Sequence, residues 1–161
     1  MKYIFLFLLS LILNLITFRC GYTTRIPSQI VYKKIALSFI ENKTLKPMLE
    51  IILTEELENY FKNQPQIKLV NLEEAELIIS GVIDNYEKKP AVYDAFQNIS
   101  EWQIIISCQV KGKERDTERI IFNNSISKSL NYPIEEAEEK VIREIMKKIA
   151  SEIYQQLSSQ W

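Results

Sequence analysis

Glu101-Trp-Gln-Ile-Ile-Ile-Ser-Cys-Gln-Val-Lys111 alternates in polarity more cleanly than any other stretch of the chain. Trp102, Ile104, Ile106, Cys108 and Val110 fall on one side of an extended backbone. Gln103, Ser107, Gln109 and Lys111 fall on the other, together with Ile105. A period of two with one apolar side marks a half-buried strand. Antiparallel sheets tolerate one wet face, so this strand expects antiparallel neighbours.

The flanking sequence supplies them. Downstream, Gly112 to Thr117 is a charged turn, and Arg119 to Ser129 returns as a strand with Ile120, Phe122 and Ile126 facing one way. Upstream, Leu77 to Tyr86 is a strand with Leu77, Ile79 and Ile83 on one face and Ile78, Val82 and Tyr86 on the other. Glu87 to Ser100 then reads as a long connecting loop. Three such strands in succession predict an antiparallel meander. Lys34 to Ile40 is a further apolar run, broken by Glu41-Asn-Lys-Thr44. Ile67 to Val70 has room for only a short strand, and the expected sheet is counted without it.

Two helices complete the pattern. Pro47 suits a first helical turn, and Leu49, Ile52, Leu53, Leu57, Tyr60 and Phe61 recur at helical spacing until about Asn63, before Pro65. At the other end Pro133 is expected to open a helix whose acidic start, Glu135 to Glu139, suits the positive end of the helix dipole. Ile134, Ala137, Val141, Ile145, Ile149, Ile153 and Leu157 form its stripe, widened by Ile142 and Met146. The expected fold class is α+β: a small mixed, mostly antiparallel four-stranded sheet in the order β-α-β-β-β-α, with two helices packed on one face.

Composition narrows the function. The 161 residues contain no histidine, which excludes His-based triads and the commonest zinc sites. Two cysteines, Cys20 and Cys108, have no metal-ligand spacing. Cys108 lies on the apolar side of its strand and reads as a small buried side chain. With three glycines the chain has no phosphate-cradling loop. No enzymatic activity, cofactor or metal is expected. Without Lys2 and Arg19 the balance is 18 basic to 21 acidic residues, which offers no global field for nucleic acid.

The chain opens with Lys2 and an almost unbroken apolar run, Tyr3 to Phe18, closed by Arg19. The run is shorter than the roughly 20 residues of a spanning helix and reads as a signal peptide over residues 1–19; an uncleaved anchor is the other reading. Cys20-Gly21 follows, as in a bacterial lipoprotein whose cysteine carries the lipid, although Arg19 stands where such leaders usually have a small residue. Residues 20–33 read as a lipidated tether and residues 34–161 as one domain.

The order of motifs behind this leader resembles the LptE family of lipopolysaccharide-assembly lipoproteins. The resemblance rests on Cys20-Gly-Tyr22, on Lys34 to Phe39 with Glu41-Asn-Lys-Thr44, on Ala75 to Gly81, on Tyr86-Glu87 and Tyr93-Asp-Ala95, and on the closing helix. It implies a protein on the periplasmic side of the outer membrane, held by an N-terminal lipid anchor. Its partners would be an LptD-type β-barrel, which it plugs and helps assemble, and lipopolysaccharide in transit. Lys88 and Lys89, with Tyr93 and Phe96 beside them, are the candidate lipopolysaccharide-binding residues, since lysines attract lipid phosphates and aromatic rings give apolar contact. Ile78, Val82, Tyr86, Ile105 and Ile121, opposite the expected helix layer, form a candidate partner-facing sheet surface. Another lipoprotein acting as a protein-binding module, a cell-wall synthase activator or a secretion accessory, is the alternative.

Overall fold

The computed structural model describes residues 32–159. The leader, Cys20 and most of the expected tether therefore lie outside the described residues. The elements run β1 (Lys34–Asn42), α1 (Leu49–Lys62), β2 (Lys68–Leu69), β3 (Leu77–Tyr93), β4 (Ile99–Glu114), β5 (Ile120–Pro133) and α2 (Glu138–Ser159).

The sheet has five strands in the order β2-β1-β3-β4-β5, which corrects the expected four. The missing strand is β2. Its two residues pair parallel with Lys34 and Ile35 on the outer side of β1. Backbone bonds alone define it, from Lys68 N to Lys33 O at 2.7 Å and from Val70 N to Ile35 O at 3.0 Å. Two residues carry no readable periodicity. β1 also pairs parallel with β3, while β3-β4-β5 is the predicted antiparallel meander.

The meander strands are longer than expected. Most of the expected Glu87–Ser100 loop is strand, because β3 continues to Tyr93 and β4 begins at Ile99. Mostly polar, exposed residues leave no alternation to read. At the far end, Pro133 closes β5 instead of opening a helix, and α2 begins five residues later. Both are boundary errors of one origin: proline is tolerated at a strand end and in a first helical turn alike.

Both helices lie on one sheet face. Ile104, Ile106, Cys108 and Val110 are buried there against Leu49, Leu53, Leu57 and Phe61 of α1 and Val141, Ile145, Ile149 and Ile153 of α2. Cys108 is a free thiol, and burial pushes its pKa up to about 12, so it is an inert core side chain. Asn42 shapes the turn from β1 into α1. Its amide donates to Lys46 O and Glu50 Oε2, both at 2.8 Å, and its Oδ1 accepts from Thr44 N and Oγ1. That turn leaves Met48 in the left-handed region at φ 69° in front of α1.

Candidate functional site

β3 does not keep one register. Ile83 faces Cys108 and Asn85 faces Ser107, so Asp84 is an extra residue in the strand. One inserted residue reverses which way the following side chains point. Tyr86, expected on the open face with Ile78 and Val82, therefore opposes Ile106 on the helix side. Lys88 follows it, opposite Ile104, while Lys89 opposes Gln103 and points the other way. The two adjacent lysines serve different faces.

On the helix side, Glu138 at the start of α2 gathers three donors. Its Oε1 accepts from Lys46 Nζ at 2.5 Å and from the Tyr86 hydroxyl at 2.9 Å, and its Oε2 accepts from Lys88 Nζ at 2.7 Å. The two ammonium groups hold its carboxyl down to about 2. Burial and the neighbouring carboxylate push the Tyr86 hydroxyl well above its ordinary value. Lys88 also lies 4.9 Å from the centre of the Trp102 ring and 5.8 Å from that of Tyr132. Cation–π contacts of this kind contribute roughly 0.5–1 kcal/mol at partly exposed sites. The cluster ties the β1–α1 turn, β3 and α2 together. Nothing in the sequence singled out Glu138 among its acidic neighbours, because its partners come from distant segments.

Beyond this cluster the β3–β4 hairpin continues and ends in a fixed turn. Asp94 N–H donates to Asn98 O at 2.8 Å, and Gln97 N–H donates to Asp94 O at 3.1 Å. Asp94 Oδ1 accepts from the N–H groups of Phe96 and Asn98, both at 2.8 Å. These bonds hold the Asp94 carboxyl below its ordinary range. Gln97 takes the left-handed conformation at φ 64° that a three-residue hairpin loop requires. The turn exposes Phe96 (85%) and Tyr93 (58%). Lys89, on the opposite face from Lys88, lies 3.3 Å from Glu87.

The domain has a polarity. The described chain enters at Tyr32, whose hydroxyl donates to Glu114 at the end of β4. The hairpin tip precedes β4, so it lies at the opposite end of the strand.

The open face is only partly as expected. Ile78, Val82 and Ile105 lie there, half-buried between Lys113, Gln109 and Glu87. Tyr86 has moved to the helix side. Ile121 has also left, because the register slips between Gly112 and Lys113 and makes it an extra residue in β5, packed against the core. The remaining surface is polar: Gln103 donates to Asn131 at 2.9 Å, Ser107 to Ser127 at 2.9 Å and Gln109 to Asp84 at 3.2 Å. Among the described residues no group of three acidic or cysteine side chains could hold a metal, and no helix is long and apolar enough to cross a membrane.

Several solved structures share this fold. A lipoprotein from Nitrosomonas europaea superposes with a TM-score of 0.59 at 15% identity, over 83% of this chain and 86% of its own. A Xanthomonas campestris protein gives 0.57 at 8% identity, over 84% and 90%. The PelC dodecamer subunit from Paraburkholderia phytofirmans gives 0.52 at 13%, over 74% and 86%. At these identities they establish the architecture alone. No curated protein matches the chain. The family model for LptE, lipopolysaccharide assembly, matches residues 32–157, nearly the whole described domain. The chain therefore belongs to the LptE family, whose members are lipid-anchored outer-membrane lipoproteins facing the periplasm and serving lipopolysaccharide assembly, not enzymes.

Proposed function

We propose that this domain, held to the outer membrane by a lipid on Cys20, docks in an LptD-type β-barrel and binds lipopolysaccharide through the tip of its β3–β4 hairpin. The observation that carries this reading is the tip itself. Two large aromatic side chains, Tyr93 at the end of β3 and Phe96 in the turn that Asp94 closes with hydrogen bonds, stand exposed at the end of the domain remote from Tyr32. A rigid apolar tip loses little entropy on meeting acyl chains. Lys89, four residues before Tyr93 on the open face and paired with the exposed Glu87, adds a cation on the same hairpin arm. Lys88 contributes less directly, since its ammonium is engaged by Glu138.

A tagged chain purified from membranes is expected to bring the barrel with it. In the Tyr93→Ser, Phe96→Ser double variant, lipopolysaccharide binding is expected to fall at least tenfold. Burying a large apolar side chain contributes about 1.5–3 kcal/mol, and about 1.4 kcal/mol is a factor of ten. Barrel recovery and melting temperature should stay the same, because both side chains are exposed in the free domain. Unchanged lipid binding would overturn the assignment to the tip. Recovery of a cell-wall synthase in place of the barrel would overturn the docking.

A further inference from the structure

The two edges of the sheet are protected very differently. At one edge β2 covers only Lys34 and Ile35 of β1, and the rest of that strand is blunted by the charge of Glu41 and by a register irregularity between Leu37 and Ile40. The other edge is β5, with 14 residues and no strand beyond it among the described residues. Edge strands are usually blunted by charged side chains, by proline or by bulges. From Ile120 to Tyr132 the one charged residue is Lys128, and it is drawn to α2 by Glu152 at 2.6 Å. Pro133 comes only at the end, and the register slip only at the start. The open-face side chains between them, Asn123, Ser125, Ser127, Ser129 and Asn131, are small, polar and uncharged.

We infer that the free edge of β5 is an interaction surface that takes an extended segment of the partner barrel protein as a sixth strand. The row of N–H and C=O groups fixes the chemistry of the occupant, because only an extended backbone can satisfy it. A closed barrel wall has no edge of its own, so the segment comes from outside that wall. An antiparallel second copy does not fit. Among the strands α2 packs chiefly on β5, and pairing two β5 edges about a twofold axis would set two α2 helices on the same face. Adjacent strands lie about 4.8 Å apart, whereas packed helices need about 8–10 Å between axes.

The inference rests on the barrel reading above, and the test separates the two. Hydrogen exchange of the β5 amides is measured in the isolated full chain and in the co-purified barrel complex. Protection is expected to rise at least tenfold in the complex. The Ser125→Lys, Ser129→Lys variant places charge along the edge strand and is expected to lower barrel recovery at least tenfold with its melting curve unchanged. Ser107→Lys, Gln109→Lys puts the same two charges on the same face of the inner strand β4 and should leave recovery within twofold. Equal losses from both variants would mean face docking and would overturn the edge assignment, as would β5 amides that stay unprotected in the complex. Protection already present in the isolated chain would mean that its own residues or a second copy occupy the edge, which also overturns it. If wild-type chain recovers no barrel, the proposed function fails and this partner with it.

Discussion

Replacing Glu138 by alanine is expected to lower the stability of the domain by about 2–3 kcal/mol, read as a shift of the urea midpoint at neutral pH. Net hydrogen bonds to a charged group contribute roughly 1.5–3 kcal/mol each. Glu138 accepts three, but its side chain is 25% exposed, so solvent screening reduces the sum. The loss also has a direction in space. The β1–α1 turn through Lys46 and the hairpin root through Tyr86 and Lys88 both lose their tie to α2. Amides in these two segments should exchange faster in the variant, while those of Ile104 to Val110 should not. A uniform change across the sheet would refute the role given to the cluster.

The same residue predicts a pH dependence. Its carboxyl is held at about 2 in the folded protein, below its ordinary 4.5. Between those values the unfolded chain binds a proton that the folded chain does not, so stability rises with pH there. The contribution is complete above about pH 4.5 and is lost as the pH falls through about 2. Wild type and Glu138→Gln should therefore differ most near neutrality and converge in acid. A difference that persists unchanged at pH 2 would contradict the assignment.

Gly112→Ala is expected to cost about 1–3 kcal/mol, which lowers the melting temperature by roughly 5–10 °C for a domain of this size. A Cβ at this position would lie 2.7 Å from Cδ1 and Cζ of the Phe122 ring and closer still to Cε1. Gly112 and Phe122 oppose each other on the helix face, and the ring lies across the bare backbone. The ring cannot move aside easily, because it is itself buried. Trimming it in Gly112→Ala, Phe122→Leu should recover part of the loss, and the double-mutant cycle measures the coupling. Additive losses would show that the ring and the glycine do not interact.

Local pattern was sufficient for much of this protein. The alternation from Trp102 to Val110 identified a half-buried strand and its core face, and every apolar residue on that face from Ile104 onward is buried. The stripes from Leu49 to Phe61 and from Val141 to Leu157 identified the helices, because periodic apolar side chains must share a face. Meander, helix layer, family and function class follow from such local signals. The small turn residues Asn42 and Thr44 were legible as a motif, and the structure supplies their reason as a hydrogen-bonded turn.

What the chain alone left open depends on pairing between distant segments. β2 exists because Lys33 and Ile35 offer backbone partners, not because two residues prefer to be extended. The hairpin arms from Glu87 to Tyr93 and from Ile99 are strands through backbone bonds that no side-chain alternation announces. The sharpest case is Asp84. Counting by twos puts Tyr86 beside Val82, and it fails because one residue has no partner in β4. A register slip reverses every side chain after it while leaving the sequence pattern intact. Only the paired sheet, with α2 placed above it, decided that Tyr86 and Lys88 meet Glu138 and that Lys89 points away.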